Sequence, residues 1–182
     1  MGQARDIGAA NIASRRDTRA MAASKWILAL VLALGAGLLV AGRAGWLQGR
    51  APAGLGLHDG RLAAPSATPN SVSSQARLWP DHPRRDDAQI EPLHFRGDPA
   101  AAMARLERVV RAMPGAAVQA SRPGYLYATF TTRLLRFVDD VEFALDANAG
   151  VIDVRSASRV GRRDFGVNRA RVEAIRARFA AG

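Results

Sequence analysis

Three acidic residues within four positions, Asp139, Asp140 and Glu142, are the first candidates for chemistry. Carboxylates at that spacing can hold a divalent cation or serve as a general base. Four arginines, Arg159, Arg162, Arg163 and Arg169, gather around Gly161 and Gly166 where a last helix should begin. A helix start offers unpaired N–H groups and a partial positive charge, so this turn is a candidate anion site for a lipid headgroup or an envelope polyanion. Hydroxyls recur in pairs at Ser73 and Ser74 and at Ser156 and Ser158. Neither pair has a nearby histidine, a Gly-x-Ser-x-Gly elbow or a Ser-x-x-Lys partner, so local hydrogen bonding is expected of them rather than nucleophilic attack.

Each candidate also has a plain structural reading. Strand alternation sends Asp139 and Asp140 to opposite faces, so they cannot share a metal without a bulge. Pairing with Arg155 and Arg159 across a hairpin is the alternative, at about 0–1 kcal/mol for an exposed pair. Asp139 falls on the apolar face and needs a hydrogen-bond partner, such as nearby backbone or the loop at Gly161. Asp164 or Asn168 can cap the helix start and leave the arginines solvated. The chain has no cysteine, which excludes disulfides, thiolate catalysis and Cys-based metal centres. Its three histidines, His58, His82 and His94, have no ligand spacing, and no metal or cofactor is expected. His94 stands alone and reads as structural.

The elements that must position these groups follow from periodicity. Asp98 and Pro99 mark a helix start, and Met103, Leu106, Val110 and Met113 form its apolar stripe, with Val109 widening it, until Pro114-Gly115. Arg105, Arg108 and Arg111 occupy its solvated side. Strand-like runs span 125–132, 137–146 and 151–158, with a shorter one at 117–120. A four-residue loop at 147–150 makes Asp146 face Val151, Leu145 face Ile152, Phe143 face Val154 and Glu142 face Arg155. Other loop lengths put apolar residues opposite charges, so the pattern selects this register. Val172, Ile175 and Phe179 line a final helix, with Arg169, Arg171, Arg176 and Arg178 pointing largely outward. The expected fold is α+β: an antiparallel sheet of three to four strands, covered on one side by two helices, preceded by one transmembrane helix.

That leading helix is the run Trp26–Gly42, free of charge between Lys25 and Arg43. Its length of roughly 26 Å approaches a ~30 Å hydrocarbon core, and Trp26 and Trp46 suit the two interfaces. Arg5, Arg15, Arg16, Arg19 and Lys25 precede it and Arg43, Arg50 and Arg61 follow, which favours an N-terminus in the cytoplasm and export of the rest. A cleaved signal peptide starting at Met21, or a buried core helix, are the other readings. Residues 1–25 are thus expected as a cytoplasmic tail and 26–46 as the membrane helix. Residues 47–88, rich in Pro, Gly and Ser, are expected as a flexible linker in which Val72, Leu78 and Trp79 dock without a strand or helix. Residues 89–182 are expected as the globular domain.

The motifs Phe137-Val-Asp-Asp-Val-Glu-Phe143, Val154-Arg-Ser-Ala-Ser-Arg-Val-Gly161, Asp164-Phe-Gly-Val-Asn-Arg169 and Arg171-Val-Glu173 resemble a bacterial and plant family catalogued as domain of unknown function 1499. Pro69-Asn-Ser-Val-Ser-Ser74 is similar to that family's N-terminal motif, and the resemblance runs from about Pro65 to Phe179. It implies envelope or organelle-lumen proteins without an established reaction. Ser71 stands where members often carry cysteine and Thr129 where an acidic residue is frequent, which speaks against thiol chemistry here.

The net charge of +10 divides evenly between the first 61 residues and the remainder. With no aromatic-interleaved basic strand and no helix-turn-helix pattern, nucleic acid is not an expected partner. The sequence therefore points to a single-pass protein of the bacterial inner membrane with a periplasmic domain that binds an anionic lipid or an envelope protein. An envelope hydrolase using Asp139, Asp140 and Glu142 is the alternative. The oligomeric state is left open.

Overall fold

A computed structural model describes residues 24–182. The basic residues Arg5, Arg15, Arg16 and Arg19, most of the expected tail, and the alternative start at Met21 lie outside the described residues. Helix α1, Ser24–Arg43, has a mean hydropathy of 2.0 over its apolar window, of which 6% is buried. Twenty residues at about 1.5 Å each give about 30 Å, so α1 is long and apolar enough to cross a membrane. With its side chains exposed on every side, it is not a core helix of this domain.

The domain is α+β. Its sheet has six antiparallel strands, more than the three or four expected: β1 (Ser71–Ser73), β2 (Leu93–His94), β3 (Ala116–Arg122), β4 (Tyr125–Thr131), β5 (Val138–Asp146) and β6 (Val151–Ser158). The order is β1-β6-β5-β4-β3, and β2 also pairs with β6. The β5–β6 hairpin adopts the register deduced from parity, with Asp146 opposite Val151, Phe143 opposite Val154 and Glu142 opposite Arg155. The Ala149 N–H donates to Asp146 Oδ1 at 2.9 Å and closes its loop. The two additional strands come from a region where no strand was expected. Both are too short to show alternation, and their partner β6 fixes them.

A four-residue helix α2 (Arg85–Ala88) is followed by α3 (Pro99–Arg111) and α4 (Val167–Ala181). Asp98 caps α3 by accepting from the Ala101 N–H at 2.7 Å, a contact contributing about 1 kcal/mol. Leu106 and Val110 of α3 and Val172, Ile175 and Phe179 of α4 enter one core with Leu126, Phe130, Val141, Phe143, Ile152 and Val154. Both long helices therefore cover the same face. Arg105 is drawn onto this layer, its guanidinium 4.2 Å from the Phe179 ring centroid, instead of lying free in solvent.

The opposite face is not open to water as the charge alternation suggested. Residues 54–66 pass across it as a strap. Leu62, fully buried there, packs with Tyr125 and Ala144, contributing about 2 kcal/mol. The Gly56 N–H and the Ala64 carbonyl meet the charged side chains below. A charged face in the middle of a sheet can be buried only when its polar atoms find partners, and the strap's backbone supplies two of them.

The end of α1 is seated on the domain. A Cβ at Gly42 would lie 2.6 Å from the Leu135 carbonyl oxygen, so only glycine permits this approach. Gly49 (φ +66) repeats the arrangement against Val160 and Arg159.

Candidate functional site

The three acidic residues of β5 are all buried, at 3% exposure for Asp139, 1% for Asp140 and 0% for Glu142. They divide between two networks on opposite faces of the sheet, as period-two alternation requires.

Beneath the strap, Tyr127 donates to Asp140 Oδ1 at 2.6 Å. Arg159 grips the same carboxylate with Nε to Oδ2 at 2.9 Å and Nη2 to Oδ1 at 2.7 Å. This two-point geometry matches a planar guanidinium to a planar carboxylate. The contact raises the Arg159 pKa above its ordinary value. Burial and the Asp140 hydrogen bond push the Tyr127 phenol up to about 12. One residue pair further along, Glu142 Oε1 accepts from the Tyr125 hydroxyl and from the Gly56 N–H, each at 2.7 Å. Burial first, and then this bond, push the Tyr125 phenol far above its usual range. Glu142 Oε2 is buried without a hydrogen-bond partner, 3.8 Å from Arg155 Nη1. Arg155 donates from Nε to the Ala64 carbonyl at 3.0 Å, and burial lowers its pKa.

On the helix face Asp139 pairs with Arg171, which was expected to point outward. Arg171 sits one position before Val172 at the margin of the apolar stripe. Its long side chain lies over Phe130, with the guanidinium 4.8 Å from the ring centroid, and reaches the carboxylate that would otherwise be stranded. Arg171 Nη1 also donates to Asn168 Oδ1 at 2.7 Å. Asn168 is fully buried and works as a junction: its Nδ2 donates to Ser158 Oγ at 2.9 Å and to the Asn70 carbonyl at 3.0 Å, while Ser156 donates to its Oδ1. Asn70 in turn donates to the Gly161 carbonyl at 2.8 Å. Ser156 and Ser158 thus face an amide, and Asn168 joins strand, helix and loop instead of capping α4.

The cap belongs to Asp164, which accepts from the Gly166 N–H at 3.1 Å and the Asn168 N–H at 2.9 Å. A carboxylate of the chain itself therefore occupies the position an external anion would take. The four arginines of this turn are not brought onto one point. Arg159 is engaged with Asp140, and Arg169 donates to the Asp87 and Gln89 carbonyls at 3.0 and 2.8 Å. Arg162 and Arg163 are exposed. A cleft of about 130 Å³ beside the helix start carries Arg84 and Arg169 but also Asp87 and Asp164, with Arg84 and Asp87 paired at 2.7 Å.

Among the described residues no three His, Cys, Asp or Glu side chains converge as metal ligands. Ser74 donates to Asp153 Oδ1 at 2.6 Å and Gln75 to Asp153 Oδ2 at 2.8 Å, tying β1 and the following turn to β6. Ser71 Oγ accepts from the Ser66 N–H at 2.8 Å, and Thr129 Oγ1 accepts from Gln119 at 3.0 Å. His94 is exposed on β2. Sequence reasoning passed over Tyr125, Tyr127 and Arg171. The tyrosines did carry a signal, since they alternate along β4 in step with Glu142 and Asp140 on β5.

A family model described as "Protein of unknown function (DUF1499)" matches residues 61–179. No curated protein and no solved structure matches the chain.

Proposed function

This chain belongs to the DUF1499 family, and from that premise we propose that it is a single-pass protein of the bacterial inner membrane whose periplasmic domain acts by binding an anionic envelope component rather than by catalysis. The observation that carries this reading is the junction between α1 and the domain. An apolar helix whose window is 6% buried among the described residues carries Gly42 one residue before its end, and Gly42 is buried against Leu135. That contact favours a retained anchor over a cleaved signal peptide, because a peptidase acting near residues 42–44 needs an extended, accessible backbone. The basic flank ahead of α1 favours a cytoplasmic N-terminus.

Binding is favoured over catalysis by how the carboxylates are engaged. Asp139 and Asp140 each meet a guanidinium, and Glu142 Oε1 is held by a phenol and a backbone N–H. A general base must be free to take a proton from a substrate, and these groups sit under the strap or in the core.

The test is topological. The full chain should stay with membranes through alkaline carbonate washing, and a reporter fused after Gly182 should be active only outside the cytoplasm. Release by carbonate, or a reporter active only inside, overturns the reading.

A further inference from the structure

Among the described residues outside α1, the exposed large apolar side chains are Trp46, Leu57, Leu78, Leu134, Val160, Phe165 and Val167. Five of these seven lie in three segments that meet at the end of α1. The loop 132–137 touches Gly42 through Leu135, and Gly49 touches Arg159 and Val160. The loops 132–137 and 159–167 also line one cleft of about 280 Å³, with Thr132 and Phe137 on one side and Val160, Arg163, Phe165 and Val167 on the other. Trp46 is 80% exposed, Leu134 68% and Phe165 92%. Phe165 is held at φ 53 and Arg136 at φ 60, a region bulky side chains rarely enter. The fold thus holds a phenylalanine out to solvent at a strained position, with no buried contact in return.

Charge surrounds these apolar tips. Arg133, Arg136, Arg162 and Arg163 are all exposed on the same two loops, and Arg43 closes α1. Of the two acids lining this cleft, Asp164 is turned onto the α4 N–H groups and Asp139 is paired with Arg171. Height is set by Gly42, one residue or about 1.5 Å from the end of α1, so a backbone touching it lies at the level where the helix leaves the hydrocarbon. Aromatic and aliphatic tips ringed by arginine at that level match an interface of anionic headgroups over acyl chains.

We propose that the loops 132–137 and 159–167 rest on the bilayer that α1 crosses, with Leu134 and Phe165 inserted among its lipids and Arg133, Arg136, Arg162 and Arg163 against anionic phospholipid headgroups. This deepens the anchored reading and rests on it. It assigns Arg162 and Arg163, the two arginines of the turn not engaged internally, to the membrane in place of a soluble ligand. The domain is thereby held in one orientation at the surface, its β5–β6 hairpin at the far end of β5, about 26 Å away.

Because the chain has no cysteine, single cysteines carry a unique label. Full-length protein with Leu32→Cys, Leu134→Cys, Phe165→Cys or Ala149→Cys, each carrying a polarity-sensitive fluorophore, is reconstituted in phosphatidylglycerol or phosphatidylcholine vesicles with brominated acyl chains. Labels at 134 and 165 should be blue-shifted and quenched, more strongly in phosphatidylglycerol, while the label at 149 stays in water. Replacing Arg133, Arg162 and Arg163 together by glutamine should abolish the difference between the two lipids. Quenching at 32 without quenching at 134 and 165 overturns the proposal and leaves the anchor standing. No quenching at 32 overturns both.

Discussion

Arg171 and Asp139 form an ion pair that crosses from α4 to β5 at the edge of the apolar layer, with Phe130 beneath the guanidinium. The side chains are 9% and 5% exposed, so neither charge has water to fall back on. Arg171→Met should therefore destabilise the domain by about 3–5 kcal/mol, because it leaves a buried carboxylate alone. Adding Asp139→Asn should recover more than half of that loss. Urea melts of the single and double variants decide it, and additive losses would mean the two residues act independently.

The arginines of the turn should separate into two classes. Arg159→Gln removes the guanidinium from the buried Asp140 carboxylate, leaving it the Tyr127 hydroxyl, and should cost about 3 kcal/mol. Arg162→Gln removes an exposed side chain and should stay within about 0.5 kcal/mol. Thermal unfolding of the two variants side by side reads the difference, and equal shifts would refute the sorting.

Asn168 should tolerate no apolar replacement. Asn168→Leu keeps the branched shape but leaves the Asn70 carbonyl, the Ser156 and Ser158 hydroxyls and one Arg171 nitrogen without this partner. The expected loss is about 3 kcal/mol. Faster hydrogen exchange at β1 should accompany it, since Asn168 reaches that strand through Asn70.

Alkaline pH should unfold the domain through its two tyrosines, which are the only ones in the chain. Both phenols have folded pKa values above the ordinary 10, Tyr127 at about 12 and Tyr125 higher. A group raised in this way contributes fully below its unfolded pKa, and the contribution is lost as pH rises through the folded value. Stability should hold up to about pH 10 and then decline towards pH 12 and beyond. Phenolate absorbance at 295 nm should rise only together with loss of the fold. A titration centred at pH 10 in folded protein would contradict the buried hydrogen bonds.

Gly42→Leu should unseat α1 from the domain. A branched side chain cannot occupy the space taken by the Leu135 carbonyl, so the two must part. Cleavage by trypsin at Arg43 and Arg50 should become several-fold faster in the reconstituted protein, while the unfolding temperature of the domain should change little.

Much of this arrangement could be read from the chain before the fold was in view. The β5–β6 register followed from Leu145, Phe143 and Val154, whose alternation leaves one loop length consistent with a one-sided apolar face. The Asp98 cap and the Val172–Ile175–Phe179 stripe were local patterns of the same kind. Other features had no local signature. β1 is three residues of Ser-Val-Ser, and only β6 beside it makes it a strand. The strap leaves a single fully buried apolar anchor, Leu62, in a stretch otherwise made largely of Gly, Ala and polar residues, so its composition imitates a loose tether. Arg171 lies one position off the stripe, where helical periodicity sorts residues by angle and ignores how far a long side chain can bend back. The acidic cluster was visible as a group, and its division between two faces was foreseen. Which partner each carboxylate takes depended on the two tyrosines and Arg171, whose contacts span 13 to 32 positions.

The pairing of β1 with β6 has a consequence in time. Ser71–Ser73 leaves the ribosome early, yet its neighbours Arg155–Ala157 are made more than eighty codons later. Until then the Pro69–Ser74 segment has no β6 to join, and a nascent chain carries its backbone unpaired. Closing of the sheet around β1 thus waits for the last strand to be made.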